Sequence, residues 1–521
     1  MEKLKYFQDI IKNNRKNTAF RDFLKEVVSW STVVLYRNNG IISKFPETDR
    51  IKTVIPNKDF ENSRDDLINH GIDYDFSKNF FDNFSDLLRT INIFDFIVYG
   101  AVENVFFSDM ALNSRNVYLG FTIINNCENV FYSFSVKDNC KDVYHSVSVY
   151  QNSSIVFSSS GVNESYKIFY SRFINNSNNI WFSSNLTGCS ECLFCNELDN
   201  CSYYIENIKY EKEEYLKKKE EILKDKHKFL DYYKKVQKVG KNYNSTNVSG
   251  SGFHNSIDVK NGYYGYNVKN GNNLIFVGGI NGNENMYDII TAGAPKASDL
   301  YGIMGANGEN LYICMNVTNS SNIYYSYFVT DCSYCIGCIG IKNRSYCIFN
   351  KQYTKEDWEE LADKILSSME NDGSLGKFFP GRINPFYFND TMAGLLGNFK
   401  KEEVEKEGFM WRNEEVKVDI PEGLEVIFTS SQPSPLEEKE QEQKSSPLLQ
   451  RRGARGEVSN YQGYDSNGNW HINPDIQNVV IKGEKGNYYR IVKMEYEFLI
   501  KYGLPIPELH WMDRMKLNFG I

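Results

Sequence analysis

The chain has 521 residues, a formal net charge of −8, and 24% charged against 41% hydrophobic residues, a balance that excludes global disorder. No run of about 18 apolar residues occurs, which removes a membrane-spanning helix, and the start, MEKLKYFQDIIKNNRKN, carries charges where a secretory leader needs an apolar stretch. Eleven cysteines, an odd count, fit reduced thiols in a cytoplasm better than a disulfide framework, and net acidity argues against a nucleic-acid coat.

Residues 1–100 read as an N-terminal α+β segment. Leu4, Ile10, Ile11, Phe20, Phe23, Leu24 and Val27 predict one amphipathic helix over 1–28. Residues 31–56 predict a hairpin turning at Asn38-Asn39-Gly40, and Ser77 is the expected N-cap of a helix running toward Ile91.

From about residue 103 one pattern recurs: Asn, an aliphatic residue, two bulky residues, then Ser. It reads NVFFS, NVYLG, NVFYS, DVYHS, SIVFS, KIFYS and NIWFS, with anchors Val105, Val117, Val130, Val143, Ile155, Ile168 and Ile180 spaced by 12 or 13 residues. It resumes more loosely with anchors Leu274, Met286, Leu300, Leu311 and Ile323. Runs of about five β-branched and aromatic residues bounded by turn formers cannot bury their own faces, so copies must stack. The expected fold is mainly β: two tandem parallel β-solenoid blocks, each closed by an α-helix. The Asn column should form an amide ladder along a bend, and the small Ser, Gly or Cys should allow close sheet packing. The period fits one coil of 12–13 residues or half a coil of about 25. The aliphatic column is expected inside, with stacked aromatics exposed along one flank.

The blocks arise from one duplication. CSECLFCNELDNCSYYIENIKYEKEEY (Cys189–Tyr215) aligns without a gap on CSYCIGCIGIKNRSYCIFNKQYTKEDW (Cys332–Trp358) at an offset of 143. A charged helix follows each, Glu211–Lys238 and Thr354–Glu370, the latter with Thr354 and Asp357 as a capping pair. The expected organisation is therefore block 1 over 101–210, a connecting helix over 211–240, block 2 over 241–353, a helical cap and extension over 354–428, a linker over 429–462, and a C-terminal segment over 463–521. In the last, Ile491–Pro507 predicts a helix stopped by Gly503 and Pro505.

Several segments together resemble an uncharacterised family widespread in bacteria of the candidate phyla radiation, whose members are often labelled "caib/baif family" proteins. They are HGIDYDFSKNFFDNFSDLL (His70–Leu88), the Cys/Asn/Tyr repeats with CIGCIGIKNRSYCIFNKQYTKEDWEEL (Cys335–Leu361), GKFFPGRINPFYFNDTMA (Gly376–Ala393) and YYRIVKMEYEFLIKYGLPIPELHWMDRMKL (Tyr488–Leu517). The resemblance covers about two thirds of the chain in collinear order and brings no activity with it. Typical relatives carry CxxC pairs before the first piece and around the last, suggesting zinc ribbons. Here both places lack Cys and only His510 remains, so the resemblance implies a metal-free, degenerate ribbon at the C-terminus. SPLLQRRGARGEVS (Ser446–Ser459) resembles a short mobile coding repeat, which implies a tolerated loop.

The strongest metal candidates are the thiol clusters Cys189, Cys192, Cys195, Cys201 and Cys332, Cys335, Cys338, Cys347. Zinc takes four tetrahedral thiolate or imidazole ligands. Against zinc or redox chemistry, a spacing of three should place the Cys on both faces of a strand, and Ser fills the same columns elsewhere; small core residues are the favoured reading. His145 takes a repeat position filled by Phe107, Tyr132 and Tyr170, so a packed ring is expected. None of the other histidines, His70, His227, His254, His471 and His510, has a telling partner in sequence. VGGINGNEN and IMGANGEN lack the Lys-Ser/Thr end of a phosphate loop and read as turns. Asp109, Asp138, Glu164, Asp199, Asp288, Asp299 and Asp331 read as turn and surface acids. No catalytic residue or cofactor is assigned. The expectation is a non-enzymatic scaffold or recognition protein for an extended protein or glycan. Alternatives are a carbohydrate-active β-helix enzyme, which needs three or more acids converging in one groove, and a zinc-binding or nucleic-acid-associated module.

Overall fold

The computed structural model describes residues 2–413, 420–429 and 456–519. Most of the expected linker and of the mobile-repeat segment therefore lies outside the described residues. The architecture is a parallel β-solenoid in two stacks, with helices and small flanking segments.

One coil is one repeat. In the first stack Val130 pairs with Val117 on one side and Val143 on the other, and Val136 pairs likewise with Ile123 and Val149. Each coil thus contributes two four-residue strands to two separate parallel sheets, such as Glu128–Phe131 and Phe134–Lys137. Left-handed backbone recurs every third residue, at Asn104, Phe107, Met110, Asn113, Asn116, Leu119 and Thr122 and onward. This regular bend replaces the alternation of a flat strand: residues i, i+3, i+6 and i+9 all point inward, so Val156, Ser159, Val162 and Ser165 are all buried. Asn is common at the bends because its short amide tolerates positive φ and bonds its equivalent one rung on. Asn104 Nδ2 donates to Asn116 Oδ1 at 3.0 Å, Asn116 to Asn129 at 2.9 Å, and Asn129 to Asp142 at 2.7 Å.

The same geometry explains why the spacing alternates. The 13-residue coils carry a second left-handed residue at one corner, Asn126, Asn139 and Asn152, while the 12-residue coils carry one. The insertion at Asn152 also corrects an anchor. Val143 pairs with Val156, not Ile155, and Ile155 sits at φ 58° in the Asn column. The other first-stack anchors from Val117 to Ile180 are fully buried, Val105 is half-buried in the first coil, and Leu274, Met286, Leu300, Leu311 and Ile323 are fully buried in the second stack.

The two stacks lie side by side and run in opposite directions. Phe173 stacks on Tyr264 at 5.7 Å, Tyr150 meets Tyr266 at 4.9 Å, and Phe134 meets Phe276 at 4.9 Å. Both stacks end alike, 143 residues apart. Ile208–Lys209 and Lys351–Gln352 fold back antiparallel on the last coil, and helices Lys212–Lys224 and Lys355–Asn371 follow. Trp358 closes the second end by donating its indole N–H to the Cys347 carbonyl at 3.3 Å, and Tyr215 closes the first against Tyr203. Covering the last rung in this way hides an edge that would otherwise pair with another chain.

From Phe131 onward the aromatic columns are covered, which corrects the expectation of an exposed aromatic flank there; Phe106 in the first coil is exposed, as expected. Phe131, Tyr144, Phe157, Phe169 and Trp181 are buried beneath the C-terminal segment and the connecting helices. Phe498 stacks on Tyr144 at 4.2 Å and lies parallel to Phe157 at 5.8 Å. In the second stack Tyr287, Tyr301, Tyr312 and Tyr324 form a near-parallel ladder beneath the N-terminal helix, with Lys12 and Lys16 over the rings.

Local expectations change where tertiary partners compete. The predicted helix over 1–28 is broken into Glu2–Lys16, Phe20–Glu26 and a short turn, since the carbonyls of Lys16 and Thr18 accept from Asn272 and Asn273 of the second stack. The N-cap of Phe80–Leu88 is Asn79, accepting from the Asp82 N–H at 3.0 Å, while Ser77 donates to Asp75 instead. The connecting helix breaks after Lys224, and Phe229 and Tyr233 of the next helix turn onto Phe182 and Tyr170. The hairpin turn at Asn39-Gly40, the Thr354 cap and the Gly503 stop stand as expected.

Candidate functional site

The thiol clusters lie inside the coils. Because the backbone bends every three residues, Cys189, Cys192 and Cys195 all point inward, not to opposite faces. The Ser residues of the same columns show what those positions do. Ser159 Oγ donates to the Phe157 carbonyl at 2.9 Å and accepts from the Ser171 N–H at 3.0 Å, tying a corner of one coil to the next. The same contact recurs for Ser146, Ser171, Ser183, Ser320 and Ser326. The Cys sulfurs keep the donating half: Cys195 donates to the Leu193 carbonyl at 3.4 Å, Cys201 to Asp199 at 3.3 Å, Cys332 to Thr330 at 3.2 Å and Cys338 to Ile336 at 3.5 Å, and Cys332 also accepts from the Arg344 N–H at 3.4 Å. Within each cluster the sulfurs also lie beside one another, Cys192 between Cys189 and Cys195, and Cys335 beside Cys332, Cys338 and Cys347. Among the described residues no group of three or more His, Cys, Asp or Glu is arranged to hold a metal ion. Cys189 is lowered to about 7 by its hydrogen bond with Cys192, whose own value is pushed up by Cys189, Cys195 and burial.

His145 is a packed ring with partners that sequence spacing does not reveal. It stacks on Tyr132 at 4.9 Å, and its Nε2 lies 2.7 Å from Glu495 Oε1, with both side chains fully buried. Arg514 Nη1 is 2.7 Å from the same nitrogen and 3.1 Å from Glu495 Oε1. Nδ1 has no partner among the described residues. With the proton assigned to Nε2, the ring donates to Glu495, and Arg514, which can only donate, has its hydrogen bond to Glu495 Oε1 and not to the ring. Burial, reinforced by Arg514, lowers His145 to about 4. Burial opposes ionisation of Glu495, but His145 and Arg514 outweigh it and lower its value. His510 caps Trp511–Asn518 by accepting from the Met512 N–H at 3.3 Å.

Two concavities remain along the seam between the stacks, one toward each end. The first, about 370 Å³, lies where the first stack ends and the second begins; Asn175, Asn185, Asn200, Asn244, Asp199 and Tyr243 contribute to it. Tyr243 is 42% exposed, which leaves a ring face open. The second, about 310 Å³, lies at the other end, with one wall formed by the N-terminal segment. The candidate acids are dispersed: Glu164 is exposed, Asp299 is partly buried on the second stack, and the others lie in these places or in buried pairs. Asp199 lines the first concavity and Asp331 the second. Asp109 is paired with Lys44, Asp138 accepts from Tyr266 at 2.5 Å, Asp288 lies beside Arg15, and Asp299 accepts from Asn285. The glycine-rich segments are bends within Ile257–Tyr324 of the second stack, with Gly282 and Gly305 at positive φ. No helix among the described residues is long and apolar enough to cross a membrane.

No family model matches the chain, and neither a curated protein nor a solved structure matches it.

Proposed function

We propose that the chain is a non-catalytic recognition protein that holds an extended glycan at the amide-lined end of the seam. The supporting observation is the lining itself. Five amide side chains, Asn175, Asn185, Asn200, Asn242 and Asn244, line it beside Asp199 and the partly exposed Tyr243 ring. Amides offer a donor and an acceptor together, which suits neighbouring hydroxyls, and an aromatic face suits the apolar face of a sugar ring. A volume of about 370 Å³ falls within the range of roughly 300–1,000 Å³ typical of ligand sites. The rigid scaffold behind it, two stacks with tied corners, supplies preorganisation. The non-catalytic part of the reading rests on the dispersal of the acids, since only Asp199 of the seven candidates reaches this groove.

The same reading places the protein in the cytoplasm, where its eleven free thiols would stay reduced, and takes it as a member of the candidate-phyla family it resembles. A glycan array probed with the purified chain tests the glycan claim. Binding to a defined set of linear glycans, weakened at least tenfold by Tyr243→Ala, is expected. An array without signal, or a Tyr243→Ala variant binding as the parent does, would sink it.

A further inference from the structure

At the opposite end of the seam the chain buries a lysine that no carboxylate among the described residues pairs with directly. Lys137 ends the strand Phe134–Lys137 and its side chain is 1% exposed. Its ammonium donates to the Phe276 carbonyl at 2.9 Å, and no carboxylate forms an ion pair with it among the described residues. A buried ammonium with one carbonyl partner is costly, because each charge taken out of water needs a compensating charge or several hydrogen bonds. Burial lowers Lys137 to about 8, with Asp138 opposing part of the shift, but the group still carries its proton through much of the neutral range.

The lysine lines the cavity of about 310 Å³. The walls are apolar, with Phe60, Phe94, Met110, Leu112, Ile124 and Phe328 contributed by the N-terminal segment and both stacks. The other charged lining groups balance one another: Arg64 and Lys342 against Glu61 and Asp331. Arg64 is further committed to Glu61 and to the carbonyls of Gly340, Phe328 and Ile341. The cavity is therefore left with one positive charge in excess, at Lys137. A second unsatisfied polar group lines the same space: both amide atoms of Asn316 are sheltered from water and lack a partner among the described residues. Gly305 keeps the space beside that amide open, as a Cβ there would fall 2.7 Å from Asn316 Oδ1 and 3.0 Å from the Met110 methyl.

We propose that this cavity binds a small carboxylic acid with an apolar body, its carboxylate held by the Lys137 ammonium. A single negative charge matches the single excess positive charge among the lining groups, and the ammonium has donors to spare beyond the one given to the Phe276 carbonyl. The apolar remainder replaces water against the phenylalanine, leucine, isoleucine and methionine walls. The site lies at the far end of the seam from the amide-lined groove and does not depend on what that groove holds.

Titration calorimetry on the full chain tests the assignment with octanoate and phenylacetate as probes, and 1-octanol as the uncharged control. At neutral pH at least one of the two acids is expected to bind one per chain, and octanoate at least tenfold tighter than 1-octanol, although the alcohol is the more apolar molecule. Lys137→Met should remove that preference while retaining 1-octanol, and Ala306→Leu, which narrows the same cavity, should weaken both. Circular dichroism verifies the fold of each variant. Should Lys137→Met fail to fold, the parent's thermal midpoint decides: octanoate must raise it more than 1-octanol does. The proposal is overturned if neither acid binds, if Lys137→Met binds octanoate as tightly as the parent, or if alcohol and acid stabilise equally.

Discussion

His145 and Glu495 lie 350 residues apart in the chain and meet at 2.7 Å in a fully buried contact between the first stack and the C-terminal segment. Arg514 completes the group from the last helix, and Asn518 Nδ2 donates to the His145 carbonyl at 2.6 Å. This polar knot sits within an otherwise aromatic interface, so its hydrogen bonds also fix how the C-terminal segment seats on the coils. Glu495→Ala leaves Arg514 buried beside a neutral imidazole. A loss of about 3–5 kcal/mol is expected, read as a lower urea midpoint, with Glu495→Gln losing less because it still accepts a hydrogen bond.

The pH dependence follows from the same group. His145 titrates near 6.5 when unfolded and near 4 when folded, so the unfolded chain takes up a proton the folded site refuses. Its contribution is fully present above about pH 6.5 and is lost as pH falls toward 4, to the extent of about 3 kcal/mol. Glu495, lowered in the fold, adds stability that is likewise lost on acidification. His254 and His510, both lowered to about 4 by burial, act in the same direction. Urea midpoints measured from pH 7.5 to 5 should fall steadily, and the fall should be shallower in His145→Gln. An equal slope in parent and variant would contradict this.

The repeat and its inward aliphatic column were legible because one residue type returns at fixed spacing at every coil. What the spacing could not show was the corner geometry. A period-two strand places residues three apart on opposite faces, and that reasoning misplaced Cys189, Cys192 and Cys195; a left-handed residue at every third position places them together inside. The extra corner Asn152 likewise displaced the anchor from Val156 to Ile155. The partners of His145 and Lys137 were not legible at all. Each depends on which stack or segment lies across from it, and no local pattern encodes that. The covered aromatic flank was missed for the same reason: the sequence shows the column but not the segment that docks on it.

The corrected anchor can be checked directly. Val156 points into the first stack and is fully buried, whereas Ile155 holds a β-branched side chain at φ 58°. Val156→Asn should cost about 3 kcal/mol or more through an unsatisfied buried amide and lost apolar burial. Ile155→Asn should cost under about 1 kcal/mol, since relief of left-handed strain offsets much of the lost apolar contact. Equal losses in urea unfolding would restore the other register.

The Ser columns predict an ordered series at position 159. Ser159→Ala removes a hydroxyl that donates to Phe157 and accepts from the Ser171 N–H, leaving that N–H buried without its partner while the Phe157 carbonyl keeps the Tyr170 N–H. The expected cost is about 1–3 kcal/mol. Ser159→Cys should cost less, since Cys195 holds the same corner three coils on with its sulfur turned to the Leu193 carbonyl.

Thiol accessibility provides a separate check on where the Cys columns sit. Cys201 is the one partly exposed cysteine, and the other ten are buried. Reaction requires the thiolate and a path to it. Cys189, although lowered to about 7, is closed within its coil, so its thiolate gains nothing from the shift while the fold is intact. Native alkylation with iodoacetamide, mapped by peptide mass spectrometry, should therefore modify Cys201 first, and the rest should follow only with urea, at the rate of unfolding. If Cys189 or Cys332 reacted as fast as Cys201 in native buffer, the coils would have to open locally at that end, and the assignment of these thiols as corner residues equivalent to Ser would fail.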